Sequence, residues 1–328
     1  MEKELNEIVE QAITGNQPQI DVLISIMRDK SSEKELVSIF QKLKGRIHSL
    51  TKQHRVLVMC LLTCNWNISD QCLELFTNFV LELVSVNSLF LKDSIRCLVK
   101  ELSLKTEVAD DKLVALQKKL DRIHQIIESI VHIAPLSVKF VGEAVESFFP
   151  FIGKSLFILK TYIVNILKVT TYIKGLRHEI LAVIIDKMLS MDVGILRHDI
   201  EKIIDEEDHM QFHLDDSTLA ESNESFLQID KMDNLMSLVM TYVKEYCYSD
   251  GTVQWKKSKA LFQELISIFE KVILKAQESS HVQFILFYIS GLDKVSSNFK
   301  PFFFRLLYCI LTSHQTQWKS AMFLKKRK

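Results

Sequence analysis

Apolar residues recur along most of the chain at helical spacing. Leu5, Ile8, Val9, Ala12 and Ile13 fall at i, i+3, i+4, i+7 and i+8, the stripe of a helix that buries one face. Ser32 followed by Glu35 is a capping box opening a helix that buries Leu36, Ile39, Phe40 and Leu43, with Gly45 where it should end. A run from about Gln53 to Cys64 follows. Ser69 and Asp70 then start a helix carrying Leu73, Phe76, Phe79, Val80 and Leu83. Residues from Ser88 to about Leu102 form another. Asp110 and Asp111 open a long helix through Leu113, Leu120, Ile127 and Val131 that Pro135 ends. Further helices are expected near 137–149, 154–171, 176–190, 195–204, 232–248, 256–275 and 280–291.

These helices come in pairs every 35 to 45 residues or so, the period of HEAT- and armadillo-like arrays in which each pair buries its face on its neighbours. The expected fold is therefore all-α, a HEAT-like solenoid of antiparallel helix pairs, with an irregular bundle as the competing architecture. Composition narrows it further. With 8 Gly and 4 Pro in 328 residues, the chain lacks the turn residues of a β-sandwich or the phosphate loops of a Rossmann sheet. The 48% hydrophobic content supplies a continuous core.

Lys plus Arg and Asp plus Glu number 41 each, so no global charge draws the chain to nucleic acid or an anionic membrane. The local distribution is uneven. No Lys or Arg lies between Lys202 and Lys231, where Asp205, Glu206, Glu207, Asp208, Asp215, Asp216, Glu221, Glu224 and Asp230 cluster. Self-repulsion without a strong apolar stripe predicts a mobile acidic loop over 205–230. Ser217, Thr218, Ser222 and Ser225 sit in it as candidate phosphorylation sites for acidophilic kinases. After Asp293 acidic residues cease, and Lys300, Arg305, Lys319 and Lys325 to Lys328 make a basic end. The expected organisation is helical repeats over 1–204, the loop over 205–230, more repeats over 231–293 and a divergent tail over 294–328.

Candidate chemistry is sparse. Gly153-Lys154-Ser155 lacks the upstream glycine of a P-loop, because Phe148 stands there. His178-Glu179 has Ala182 where a zinc-protease helix needs its second histidine. His209 and His213 are four apart but fall in the expected loop. Cys60, Cys64, Cys72, Cys97, Cys247 and Cys309 form no CxxC pair and read as reduced, packed thiols. No uninterrupted apolar run reaches 18 residues, and the amino end starts directly as an amphipathic helix. The expectation is a protein-binding protein with no enzyme activity, no cofactor, no metal and no membrane partner.

Three blocks carry a resemblance. The first holds Phe148-Phe149-Pro150, then Tyr162-Ile163-Val164-Asn165-Ile166-Leu167-Lys168, Leu176-Arg177-His178-Glu179-Ile180-Leu181 and Ile184-Ile185-Asp186-Lys187-Met188-Leu189. The second runs Met232-Asp233-Asn234-Leu235-Met236, then Leu265 to Leu274; the third is Ser280-His281-Val282-Gln283-Phe284-Ile285. In order and spacing they resemble the RNA polymerase I-specific transcription initiation factor family, over about residues 120 to 292. The resemblance implies a HEAT-repeat solenoid that bridges RNA polymerase I subunits to the promoter-bound selectivity complex for ribosomal RNA synthesis. It implies action in the nucleus and nucleolus, with room for a cytoplasmic pool, and no direct sequence-specific nucleic-acid binding.

The resemblance also implies a serine-rich patch facing the polymerase. Its positions here are Ser137, after Pro135 and Leu136, and the Lys174 turn before Arg177; Ser137 is also a candidate phosphorylation site. The plainer reading makes Ser137 a helix N-cap and Lys174 and Arg177 a solvated basic face. The family resemblance ends near Asp293, so the sequence predicts a truncated or divergent-ended member with a loosely packed tail. Two other readings stay open: a generic HEAT-type adaptor or transport receptor, and an inactive truncated product of the initiation-factor gene.

Overall fold

The computed structural model describes residues 2–28, 33–63, 69–194, 216–249 and 251–273, together with Ile285. Twelve α-helices account for most of these residues. The chain folds as two compact units, Met1–Leu176 and Arg177–Lys328. The division falls before the acidic segment, earlier than the expected junction after residue 204.

The first unit holds α1 (Glu2–Ile13), α2 (Gln17–Arg28), α3 (Glu33–Leu43), α4 (Arg55–Leu62), α5 (Asp70–Val86), α6 (Leu91–Lys100), α7 (Leu113–Ile133), α8 (Ser137–Ser147) and α9 (Leu156–Tyr172). Odd helices stack on odd and even on even: α1 on α3, α3 on α5, α5 on α7 and α7 on α9 make one layer, while α2, α4, α6 and α8 make the other. That is the packing of antiparallel pairs in a helical-repeat array.

Local chemistry sets the helix ends. Gly15 and Gly45, at φ +89° and +76°, adopt the left-handed conformation that closes α1 and α3. Ser69 accepts the Cys72 N–H and caps α5, as its position predicts. The other expected cap, Ser32, lies outside the described residues. Pro135 follows α7 and stops it.

The repeats are joined by side chains that reach the next pair. Glu33 accepts the Ser69 N–H 36 residues on. Glu82 accepts the Gly45 N–H, and Asn87 donates to the Leu50 carbonyl, each across 37 residues. Arg55 grips Asp93 38 residues on. Further along the step lengthens: Lys118 meets Asp70 across 48 residues and Lys168 meets Asp121 across 47. The period is thus visible in the contacts, although no sequence repeat advertises it.

Apolar burial drives the stacking. Phe40 on α3 meets Phe76 and Phe79 on α5, with ring centroids 5.9 and 5.4 Å away. Each such side chain contributes about 1.5–3 kcal/mol on burial. Helix α9 is buried nearly all round, through Ile158, Leu159, Tyr162, Ile163, Ile166, Leu167 and Val169. Among the described residues no single helix is long and apolar enough to cross a membrane.

The second unit holds α10 (Arg177–Gly194), α11 (Asp216–Cys247) and α12 (Trp255–Lys271), each packed on the other two. A hairpin of β1 (Tyr248–Ser249) and β2 (Thr252–Val253) joins α11 to α12, pairing Tyr248 with Val253 around Gly251 at φ +72°.

Helix α11 corrects the expected loop. From Asp216 to Asp230 the backbone is helical and continuous with the 232–248 segment. Like-charge neighbours on a helix surface cost only a few tenths of a kcal/mol each. No Gly or Pro interrupts 216–247, and carboxylates near a helix's amino end are electrostatically favoured there. Residues 195–215, with His209, His213 and the expected 195–204 helix, lie outside the described residues. So do the 280–291 helix, apart from Ile285, and the tail over 294–328.

Candidate partner-binding surface

In the first unit α7 and α9 run side by side in the same direction, so both end at one edge. At this edge α7 gives way to α8 through a tight turn. The Ile130 carbonyl accepts the Ala134 N–H at 2.8 Å, and the Ala134 carbonyl accepts the Ser137 N–H at 2.9 Å. The turn drives Leu136 outward, where it is 84% exposed, and leaves Ile133 at 46%. Lys174 stands exposed in the short 3-10 turn, Lys174–Leu176, after α9.

Ser137 takes the opposite course. It is 0% exposed, and its hydroxyl is buried without a hydrogen-bond partner. It fits neither sequence expectation: Leu136 occupies the cap position, and the Ser137 side chain makes no cap bond. As folded, Ser137 offers nothing to a partner or a kinase. Its small size fills space at the base of α8.

Arg177 is a second correction. In the second unit it is 8% exposed, and its guanidinium donates two hydrogen bonds to Glu264, at 2.8 and 2.6 Å. It also lies over the Tyr246 ring, 4.3 Å from the centroid. Hydrogen bonding to Glu264 raises its pKa above the usual arginine value. This bidentate pair clips α10 to α12 and is no solvated face. Of the three sequence-derived contact residues, only Lys174 is displayed to solvent. The side chains of Ser217, Thr218, Ser222 and Ser225 lie outside the described residues.

Other groups line the same edge of the first unit. Lys92, at the start of α6, donates to Glu143 at 2.8 Å, and Lys139 approaches the same carboxylate at 3.9 Å. The Lys92 contact holds Glu143 below its ordinary pKa. Leu89, before α6, is exposed and borders an open groove of about 600 Å³ lined also by Leu50, Thr51, Lys52, Gln53 and Asn87. The edge therefore presents isolated apolar side chains among lysines. Sequence reasoning missed Ile133, Leu136 and Leu89, because an apolar residue at a helix end reads as core until its neighbours are known.

Behind the edge a neutral network fixes α9 on α7. The Tyr172 hydroxyl donates to His124 Nδ1 at 2.9 Å, and His124 Nε2–H donates to Asn165 Oδ1 at 3.0 Å. Asn165 spends its amide hydrogens on the Thr161 carbonyl. Burial lowers the His124 pKa and raises that of Tyr172, so both stay neutral. The thiols are equally quiet: burial raises Cys72 and Cys247 and pushes Cys97 up to about 11. Cys60 is half-buried, and Cys64 lies outside the described residues. Among the described residues no group of three His, Cys, Asp or Glu side chains is placed to hold a metal.

Comparisons with known proteins identify the family to which this stack of helix pairs belongs. The family model for the RNA polymerase I specific transcription initiation factor RRN3 matches residues 1–324. The chain belongs to this family. The match begins well before residue 120 and continues past Asp293, so the kinship extends further in both directions than the three blocks.

The mouse RNA polymerase I-specific transcription initiation factor RRN3 is 28% identical over 287 residues, which are 78% of this chain and 43% of the mouse protein. The fission yeast factor is 21% identical over 299 residues, 81% of this chain and 48% of that one. The chain thus spans about half the length of the curated relatives it matches. A crystal structure of RNA polymerase I transcription initiation factor Rrn3 superposes with a TM-score of 0.66 at 19% identity, over 88% of this chain and 57% of that one. That likeness supports the helical-repeat fold.

Proposed function

We propose that this chain is an RNA polymerase I transcription initiation factor. It acts without catalysis, by binding polymerase subunits on one side and the promoter-bound selectivity complex on the other. Its place of action is the nucleus and nucleolus. The family match across residues 1–324 carries this reading. An array of helix pairs suits it, because each repeat adds a patch to an extended surface.

Within the first unit, the edge around Ile133, Leu136 and Lys174 is the polymerase-facing candidate. Apolar side chains that leave solvent on docking supply affinity, and the lysines supply orientation. Ser137 supports this edge from beneath. Ser217, Thr218, Ser222 and Ser225 are candidate modification sites, to be sought by mass spectrometry of the chain purified from cells.

The test is recovery of RNA polymerase I from nuclear extract by the tagged chain. Polymerase subunits should co-purify, and Leu136→Asp with Lys174→Glu should reduce their recovery about tenfold while helical content is unchanged. Equal recovery by the double variant would move the contact elsewhere. Capture of transport factors in place of polymerase would favour the generic adaptor. Adding the chain to extract depleted of initiation factor separates a working factor from one that binds without supporting transcription.

A further inference from the structure

The turns of the first unit are sorted by charge. Because odd helices stack on odd, the turns that follow α1, α3, α5, α7 and α9 share one edge. Over residues 14–16, 44–54, 87–90, 134–136 and 173–176 these turns contain no Asp or Glu, while Lys44, Arg46, Lys52 and Lys174 are all exposed. The 101–112 turn at the other edge instead mixes Lys105 and Lys112 with Glu101, Glu107, Asp110 and Asp111. The carboxylates that reach the basic edge from the helices are engaged: Glu10 with Arg46 at 3.6 Å, Glu82 with the Gly45 N–H, Asp93 with Arg55 and Glu143 with Lys92. Lys44 and Lys52 have no ion pair among the described residues. The edge therefore carries a surplus of cations.

The groove of about 600 Å³ opens on this edge, between the second and third helix pairs. Leu50 lines it at 1% exposure, and Leu89 lines it with 52% of its surface in solvent. Lys52 stands at the same groove. The recess is preformed. Asn87 donates to the Leu50 carbonyl at 2.7 Å and accepts the Leu89 N–H at 3.1 Å, which ties the two pairs together. The Thr51 N–H donates to His54 Nδ1 at 2.9 Å. That nitrogen is thus the acceptor, so Nε2 carries the hydrogen and donates to the Ala12 carbonyl of α1 at 3.1 Å. A recess held by such bonds loses little freedom when a ligand enters.

We propose that this groove takes a short acidic segment of a partner protein, with an apolar side chain set among its carboxylates. The apolar side chain packs on Leu50 and Leu89, and the carboxylates meet Lys52 and the surplus cations of the edge. Charge complementarity selects the sign of the partner, because turns with exposed cations and no carboxylate repel a basic one. The lining selects its class. It holds no aromatic ring to stack a base and no arginine fork for a phosphate, so a peptide fits it better than a nucleic acid. The site goes beyond the polymerase reading. It lies on other helix pairs than Ile133, Leu136 and Lys174, and it stands whether or not those residues meet the polymerase.

Fluorescence anisotropy of the full chain tests this with a labelled dodecapeptide of Asp and Glu around a central Leu-Phe pair. A version with central Ser-Ser and an oligo-dT serve as comparisons. The Leu-Phe peptide should bind about tenfold or more tighter than the Ser-Ser version. Its affinity should fall about threefold or more between about 50 and 300 mM salt. Leu89→Asp and Lys52→Glu should each weaken it about fivefold or more. Both side chains are exposed, so unchanged melting temperatures separate lost binding from misfolding. Leu136→Asp with Lys174→Glu should leave peptide affinity within about twofold of the parent, which distinguishes this site from the polymerase contact. Equal affinity for the Leu-Phe and Ser-Ser peptides, or no effect of Leu89→Asp, would overturn the proposal. Tighter binding of oligo-dT that Lys52→Glu weakens would also overturn it, and would assign the groove to nucleic acid.

Discussion

A buried polar cluster in the first unit and another in the second are built by opposite means. In the first, His124, Tyr172 and Asn165 are joined as neutral partners between α7 and α9. In the second, Arg177 and Glu264 are joined as ions between α10 and α12. Both satisfy hydrogen-bonding needs, but they respond differently to damage. A neutral group left alone loses one hydrogen bond and its desolvation, whereas an ion left alone keeps a charge that water no longer solvates. The first arrangement tolerates loss and senses acid. The second tolerates pH change and is vulnerable to loss of one partner.

The sharpest way to break this contrast is at Glu264. Glu264→Ala should cost about 3 kcal/mol in denaturant unfolding, because Arg177 is left charged and 8% exposed. Replacing both, Arg177→Met with Glu264→Leu, should recover most of that loss. If the single variant unfolds at the parent's midpoint, the pair does not hold α10 to α12.

Ser137 probes the first unit. Ser137→Asp places a carboxylate where the side chain is 0% exposed and should cost about 2–3 kcal/mol. Ser137→Ala should be neutral or slightly stabilising, since the hydroxyl has no partner to lose. A Ser137→Asp protein of unchanged stability that no longer bound polymerase would return Ser137 to the contact surface.

His124→Leu should cost about 2 kcal/mol by orphaning Tyr172 and Asn165. The same histidine gives the first unit its pH response. Its folded pKa lies below 6.5, so the unfolded chain takes up the proton first as pH falls. The stability it contributes is full above about pH 6.5 and drains as pH drops through 6.5 toward the lower folded value. Unfolding measured from pH 7.5 to pH 5.5 or so should show this fall, and His124→Gln should flatten it.

The smallest effect is expected at Leu136. Leu136→Ser should shift stability by no more than about 0.5 kcal/mol, because the side chain is 84% exposed. A larger loss would place Leu136 in the core and remove it from the edge.

Much of the first unit was legible beforehand. Gly45, Ser69 and Pro135 mark helix ends because each acts on backbone within a few residues of itself. The stripes of α1, α3, α5 and α7 are likewise local, since periodicity follows from the helix alone. The three family blocks needed no structure either. The acidic stretch misled because composition weighs charge repulsion and omits the small size of that repulsion along a helix surface.

The sequence by itself determined that this is a helical protein of the initiation-factor family, because helix periodicity and block order are written along the chain. The tertiary structure alone decided which polar residues face water. Ser137, His124 and Arg177 look like surface residues in the sequence, but their partners come from helices far along it: Tyr172 lies 48 residues from His124, and Glu264 lies 87 from Arg177. Leu136 looks like core and is exposed, because a proline turn one residue earlier swings it off the packed face. Burial is a property of what stacks on a residue, and in a repeat array that neighbour often lies a repeat or more away.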